Sequence, residues 1–85
     1  MARYRIEIKR SAAKELETIQ GKTRERIVET IRSLAVDPRP PHATKLSGEE
    51  KYRLRQGDYR ILYRIQDEVV TVVVVKIGHR RDVYW

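Results

Sequence analysis

KYRLRQGDYRILYRI, residues 51–65, sets the architecture of this protein more than any other stretch. Apolar and polar side chains alternate on both sides of Gly57-Asp58, which is the period of two strands that each bury one face. A glycine in the first of two turn positions favours a type II′ hairpin turn. This turn predicts four cross-strand pairs. They are Arg55 with Arg60, Arg53 with Leu62, Leu54 with Ile61, and Tyr52 with Tyr63.

The N-terminal half predicts one strand and two helices. Residues 4–9 alternate apolar and polar side chains, as in a strand with one buried face. An apolar helical stripe follows between a Ser11 N-cap and a stop at Gly21, and a second stripe follows a Thr23 cap. The stripes consist of Ala12, Ala13, Leu16 and Ile19, and of Ile27, Val28, Ile31, Leu34 and Ala35. Prolines in residues 38–48 end the second helix and predict a loop.

The C-terminal half predicts a further hairpin and a buried strand. Asp67-Glu68 is expected to form the turn, and the unbroken apolar run 69–77 suits a central strand covered on both faces. The helices are expected to cover the sheet face that bears Tyr4, Ile6, Ile8, Leu54, Ile61 and Tyr63. The opposite, arginine-bearing face is then open and concave. The prediction is a single α+β domain, residues 1–85, with two N-terminal helices on one face of a small, mostly antiparallel four-stranded sheet.

Composition narrows the classes of function. The 85 residues carry a formal net charge of +7 and no cysteine, which excludes disulfides, thiolate nucleophiles and cysteine-based zinc sites. Such an excess of positive charge favours a polyanionic partner, although a solvated basic surface is the alternative. Without a signal peptide or an apolar membrane span, the chain is expected to be cytoplasmic.

Arg53, Arg55 and Arg60 are the first candidate site residues. Like charges opposite each other across two strands destabilise a sheet, and a bound anion would relieve that cost. Guanidinium groups bind phosphate through paired hydrogen bonds and keep their charge, so they can stabilise a pentacoordinate transition state. The alternative is a set of arginines that only face solvent.

The ending GHRRDVYW, residues 78–85, supplies the candidates for proton transfer. His79 is a candidate because histidine side chains commonly serve as general acids or bases, and Tyr84 is a candidate because arginines can lower the pKa of a nearby tyrosine. Exposed aromatic side chains beside a basic groove can also stack on unpaired bases. The alternatives are a strand-end histidine and an aromatic lid formed by Tyr84 and Trp85.

Other enzyme classes find no support in the sequence. It contains no phosphate-binding glycine loop, zinc-protease helix motif or serine-nucleophile elbow, and the two histidines, His42 and His79, are too few for a metal site. The remaining acidic candidates are assigned to loops and turns. They are Glu49, Glu50, Asp58, Asp67 and Glu68. No cofactor and no metal are expected.

Four segments together resemble the RelE/ParE toxin family, and its RelE branch in particular. They are KLSG at 45–48, YRLR at 52–55, GDYRILY at 57–63 and GHRRDVY at 78–84. The resemblance implies a type II toxin that enters the ribosomal A site and cuts messenger RNA by 2′-hydroxyl attack on the adjacent phosphate, without metal. It also implies a RelB-like antitoxin, with the toxin monomeric inside a hetero-oligomeric complex, and no membrane partner.

The resemblance also assigns roles to individual residues. Arg60 matches the arginine that holds the scissile phosphate, Arg80 the one that assists the leaving group, and Tyr84 the tyrosine that stacks on substrate and acts as base. His79 stands where the RelE branch carries a positively charged residue, and it is the second candidate for the general base. The other basic residues of this surface are expected to bind substrate, namely Lys51, Arg53, Arg55 and Arg81. Ser47 stands where that branch carries an arginine, and Arg53 and Arg55 stand where it carries lysines.

Two other classes stay open. ParE-type relatives share the fold and inhibit DNA gyrase without cutting RNA, and the joint presence of Arg60, Arg80 and Tyr84 favours the nuclease over this class. A plain RNA-binding or antitoxin-binding module would keep the basic face and would tolerate the loss of Tyr84.

Overall fold

The computed structural model describes residues 3–46 and 50–79, which form a five-stranded sheet with two helices on one face. The elements are β1 Arg5–Ile8, α1 Arg10–Thr18, α2 Gly21–Ser33, β2 Ala43–Leu46, β3 Lys51–Gln56, β4 Tyr59–Gln66 and β5 Thr71–His79. The strands lie in the order β1-β5-β4-β3-β2, with β1 parallel to β5 and the other neighbours antiparallel. The α+β class is confirmed, but the described sheet has five strands rather than four.

The extra strand is β2, in the segment that the sequence predicted to be a loop. It has only four residues and pairs with β3 at the edge of the sheet, Ala43 opposite Leu54 and Leu46 opposite Lys51. Its own alternation is too short to distinguish it from a loop that follows prolines. Pairing with β3 makes this segment a strand, because strand formation depends on neighbours more than on intrinsic preference.

The hairpin of β3 and β4 has the predicted register. All four expected pairs are present, including Arg55 opposite Arg60 and Tyr52 opposite Tyr63. Gly57 has a φ of 60°, whereas φ is not positive at Asp58, and these are the signs of a type II′ turn. These φ values confirm the predicted turn. Glycine is suited to its first position because it adopts a positive φ without steric cost.

β5 begins two residues later than predicted. Val69 ends a short 3-10 helix, Asp67–Val69, and its side chain is 63% exposed. Val70 has a left-handed φ of 47°, a conformation that β-branched residues rarely adopt. From Thr71 to Val74 every residue is buried, as expected for an interior strand.

The core lies between the helices and one face of the sheet. Ala12, Ile19, Ile27, Ile31 and Leu34 of the predicted stripes are buried there with Leu54, Ile61 and Tyr63 of the sheet. Tyr4 and Ile6 are partly buried against this cluster, but Ile8 is 39% exposed, so its predicted burial is wrong. The Tyr63 hydroxyl donates a hydrogen bond of 2.8 Å to the carbonyl of Pro38, which ties the proline loop to the core.

The helix ends differ from the predicted caps. α1 begins at Arg10, so Ser11 lies within the helix, and α2 begins at Gly21 rather than after Thr23. Gly21 has a φ of 66° and allows the chain to turn sharply between the helices. Neither helix in the described part of the chain is long and apolar enough to span a bilayer.

Candidate functional site

The sheet face away from the helices carries three rows of residues that run across β3, β4 and β5. The first row is Arg55, Arg60 and Gly78, the second is Arg53, Leu62 and Lys76, and the third is Lys51, Arg64 and Val73. Neighbouring rows are two residues apart along each antiparallel strand of the hairpin, or about 6.8 Å. We call the cationic residues of these rows the basic face: Lys51, Arg53, Arg55, Arg60, Arg64 and Lys76.

Among the described residues, no carboxylate neutralises the arginines of the basic face. Within residues 3–46 and 50–79, no ion pair joins Arg53, Arg60 or Arg64 to an acidic side chain. Arg55 donates from Nε to the carbonyl of Gly57 at 3.1 Å, which bonds it to the hairpin turn without cancelling its charge. Guanidinium charges on neighbouring strands repel, so this surface favours a bound anion.

Arg60 lies beside a glycine of the neighbouring strand. It is on β4, which pairs on both sides, so its backbone is held by two neighbouring strands. Its neighbour on β5 is Gly78, which has no side chain to fill the space beside the Arg60 guanidinium. A backbone held on both sides and a neighbour without a side chain are suited to a group that must hold a phosphate in a fixed position.

Two apolar side chains lie among these cations. Leu62 is 1% exposed and Val73 is 6% exposed, although both lie on the face without helices. The flanking residues include Arg53 and Arg64, whose alkyl stems can cover apolar neighbours while the guanidinium groups reach solvent. Apolar surroundings reduce solvent screening, so electrostatic attraction to an anion is stronger here than at a fully exposed site.

His79 lies on the other face of the sheet from Arg60. It is opposite Tyr59, and the two rings meet edge to face with centroids 5.9 Å apart. Tyr59 packs against the core cluster, and His79 borders a cavity that also contacts Glu15 and Thr18 of α1. The structure therefore groups Arg53, Arg55, Arg60 and Lys51 on one surface and places His79 on the opposite one.

The other predicted site residues cannot be compared with the structure. Arg80, Arg81 and Tyr84 lie outside the described residues, as does Ser47. In the sequence, Arg80 directly follows His79, the last residue of β5.

The sequence analysis missed a polar cluster centred on Arg39, at the end of the sheet opposite Gly57. Arg39 Nη2 donates to Asp67 Oδ2 at 2.9 Å and to Glu50 Oε2 at 3.2 Å, while Arg39 Nε donates to the Tyr52 hydroxyl at 3.0 Å. Tyr52 Oη donates to Glu50 Oε2 and Tyr4 Oη donates to Asp67 Oδ1, each at 2.7 Å. In the part of the chain described, no three His, Asp or Glu side chains converge as metal ligands.

This cluster is structural, and the turn role predicted for Asp67 and Glu50 was incomplete. Both carboxylates bind Arg39, which joins the proline loop to β3 and to the β4–β5 connection. Hydrogen bonds from Tyr52 and then from Arg39 lower the pKa of Glu50, and those from Tyr4 and then Arg39 lower the pKa of Asp67. No local signal pointed to Arg39, because its acidic partners are 11 and 28 residues away in the sequence.

The lowered pKa values predict a loss of stability in acid. A carboxylate with a lower pKa in the folded state than in the unfolded state stabilises the fold above the unfolded value, and this contribution disappears as the pH falls through the folded value. Tm is therefore expected to decrease as the pH falls below about 4.5. Asp67→Asn should lower Tm at pH 7 and make Tm depend less on pH in the acid range. The measurement is thermal unfolding by circular dichroism from pH 7 to pH 3. Glu29→Gln on α2 is the control, and parallel curves for Asp67→Asn and wild type would contradict the assignment.

Comparison with known proteins agrees with this fold. The family model of the ParE toxin of type II toxin-antitoxin system, parDE, matches residues 6–84. The chain is 29% identical to a RelE-like toxin protein of Escherichia coli, and the alignment of 87 positions covers 96% of this chain and 90% of the relative. A 33-residue segment is 52% identical to toxin RelG of Mycobacterium tuberculosis, covering 39% of this chain and 38% of RelG.

Solved structures give the same result. A chain of the toxin-antitoxin complex RelBE2 from Mycobacterium tuberculosis superimposes with a TM-score of 0.81 and 30% sequence identity, covering 96% of this chain and 97% of that chain. The family match extends over both helices and β3 to β5, including the described part of the basic face. The chain therefore belongs to the RelE/ParE family and is a toxin of the type II toxin-antitoxin class.

Proposed function

We propose that this toxin is a ribosome-dependent mRNA endoribonuclease, acting in the cytoplasm, and that its basic face binds the messenger backbone. The observation that carries the proposal is the first row of that face. Arg55 and Arg60 lie opposite each other without a carboxylate partner in the described residues, and the β5 neighbour of Arg60 is Gly78, which has no side chain. Phosphate binding offsets the repulsion that this arrangement otherwise costs.

The proposed reaction uses the RNA's own 2′-hydroxyl as nucleophile. That oxygen attacks the adjacent phosphorus as its proton passes to a general base, and the bond to the 5′-oxygen of the next nucleotide breaks. The products are a 2′,3′-cyclic phosphate and a 5′-hydroxyl. Arg60 binds the non-bridging oxygens, whose charge rises in the pentacoordinate transition state, and Arg80 stabilises the negative charge on the leaving oxygen, which takes its proton from water. No metal ion takes part in this scheme.

We assign the general base to Tyr84 rather than to His79. Tyr84 matches the base position of the RelE branch, to which its sequence context is similar. The edge-to-face contact of His79 with Tyr59 on the helix-bearing face supports a positioning role at the exit of β5. Arg53, Lys51 and Arg81 are proposed to bind flanking parts of the messenger.

The partner of the toxin in the resting cell is proposed to be an acidic, amphipathic antitoxin. The related RelBE2 structure is a toxin-antitoxin complex. Here an apolar groove lined by Ile6, Ile8, Leu16, Val28 and Ile31 runs beside Arg32, and the chain carries a net charge of +7. An antitoxin segment with an apolar stripe and acidic flanks complements both features.

We expect the purified cognate antitoxin to suppress mRNA cleavage stoichiometrically. Coverage of Arg60 or Arg80 by the bound antitoxin removes the phosphate site, so activity should fall in proportion to the antitoxin added. The measurement is cleavage on programmed ribosomes as a function of the antitoxin-to-toxin ratio. Ile8→Asp on the toxin should weaken the complex, with Lys14→Asp on α1 as the control. Tight binding that leaves cleavage unchanged would contradict occlusion of the site.

The proposed activity can be tested in growing cells. The toxin is expressed with a defined transcript, and RNA ends are mapped by primer extension with and without an inhibitor of translation initiation. We expect cuts inside codons that disappear when ribosomes no longer load on the transcript. Cuts that persist without translation would refute ribosome dependence.

Inhibition of DNA gyrase is the second candidate function. The matching family model is the ParE toxin of parDE systems, and the resemblance of this chain extends to the gyrase-inhibiting branch. Arg55 and Arg60 face each other without a carboxylate partner in the part of the chain that the structure describes, and this favours the nuclease, because a toxin that only binds protein does not need a phosphate site.

A further inference from the structure

We propose that the row of Lys51 and Arg64 is a second phosphate subsite, which binds the same RNA strand that Arg60 holds. This inference rests on the proposed function and extends it, because it assigns the path of the RNA across the toxin. The family resemblance gave a substrate-binding expectation for Lys51 and no role for Arg64.

Arg64 has an unsatisfied hydrogen-bond donor. Its Nε is buried and has no hydrogen-bond partner among the residues that the structure describes. Buried polar groups are nearly always hydrogen-bonded, and one that is left without a partner costs stability. A phosphate oxygen can accept from this Nε once the Arg64 side chain rotates outward, and bound RNA would then satisfy the donor that the free protein leaves unpaired.

The neighbours of Arg64 in this row are a second cationic residue and an apolar residue. Lys51 is directly opposite on β3, so two cations face each other in this row as they do in the row of Arg60. On the other side lies Val73, which is 6% exposed and brings no charge or hydrogen-bonding group in its side chain. The third row thus repeats the combination seen at Arg60, with paired cations on β3 and β4 and an uncharged residue on β5.

The spacing of the two rows suits one nucleic-acid strand. Arg60 and Arg64 are four residues apart on β4, which corresponds to about 14 Å along the strand. A stacked strand advances about 3.4 Å per nucleotide and covers this distance in roughly four nucleotides, and a more extended strand needs fewer. Arg53 lies in the row between them, so the positive charge is continuous along the path.

Binding of oligonucleotides of two lengths tests the subsite. Fluorescence anisotropy is recorded with fully 2′-O-methylated RNA, which has no free 2′-hydroxyl and so cannot be cut, as a dinucleotide and as an octanucleotide. Arg64→Gln should weaken binding of the octanucleotide about tenfold and leave binding of the dinucleotide unchanged, since the dinucleotide reaches only one row. The slope of log affinity against log salt should fall by about 0.7 for the long RNA. Arg64→Lys should restore part of the affinity, and Arg24→Gln on α2 should have no effect.

Arg60→Ala separates failure of this inference from failure of the proposed function. If Arg60→Ala weakens both oligonucleotides while Arg64→Gln weakens neither, the second subsite is refuted and the RNA-binding role of the face stands. Equal weakening of both lengths by Arg64→Gln would also refute the subsite, because it indicates a general effect of charge. If neither variant changes binding, the basic face is not an RNA site and both proposals fail.

Discussion

Arg60→Ala is expected to lower the rate of mRNA cleavage by about 100-fold or more and to abolish growth arrest. Arg60 is proposed to hold the phosphate while its charge increases, and removal of one such transition-state contact costs 10²–10³-fold in other enzymes. A 100-fold loss corresponds to about 2.7 kcal/mol of transition-state stabilisation. The measurement is single-turnover cleavage of a defined messenger on programmed ribosomes.

The stability of the same variant separates function from folding. Arg60 is opposite Arg55, so alanine removes a repulsive pair, which offsets the lost packing of the arginine stem. We expect Tm to stay within about 3 °C of wild type. Arg60→Lys should recover only part of the activity, because lysine keeps the charge but loses the paired hydrogen bonds. Arg24→Ala on α2 is the control for the loss of one positive charge. A soluble Arg60→Ala protein that cleaves at nearly the normal rate would rule out the assignment.

Tyr84→Phe is expected to reduce cleavage by about 100-fold or more, whereas His79→Gln should stay within about fivefold of wild type. Phenylalanine keeps the stacking surface and loses the group that accepts the proton. His79 contacts Tyr59 on the face away from Arg60, so its imidazole is not aligned with the phosphate held there.

The pH dependence of single-turnover rates distinguishes the two bases independently. A histidine base predicts a log rate that rises and levels off near neutral pH, where imidazole loses its proton. A tyrosine base predicts a rate that continues to rise above neutral pH until the phenol ionises. An inactive His79→Gln together with a nearly normal Tyr84→Phe would reverse the roles, leaving Tyr84 as a stacking platform.

The hairpin was predictable because its signals are local. The alternation of side chains defines which residues share a face, and Gly57-Asp58 defines the position of the turn. Together they determine the register between β3 and β4. The same reasoning put Arg53, Arg55 and Arg60 on one face. For these residues the candidate site could be derived from the sequence alone.

The elements that were wrong depend on distant contacts. β2 becomes a strand only by pairing with β3, and the Val69-Val70 turn lies inside an apolar run that looks like a strand. His79 was grouped with Arg60 because both are near the same end of the sheet. Strand alternation puts them on opposite faces, because Arg60 pairs with Gly78 and His79 is the next residue along β5.

The basic face also shows what pattern analysis leaves out. The sequence analysis did not single out Arg64, whose buried Nε without a partner in the described residues appears only once side chains are packed. The Arg39 cluster was missed for a similar reason. Its partners Asp67 and Glu50 have turn and loop positions that already explain polar residues, so nothing in their local sequence indicated a structural ion pair.

One comparison with purified components distinguishes the nuclease from the gyrase inhibitor. The toxin is incubated with programmed ribosomes carrying a messenger codon in the A site and, in parallel, with DNA gyrase and relaxed plasmid. The proposed function predicts cleavage within the A-site codon that leaves a 2′,3′-cyclic phosphate and a 5′-hydroxyl, lost in Arg60→Ala, with supercoiling unaffected. An intact messenger on the ribosome together with inhibited supercoiling would contradict it.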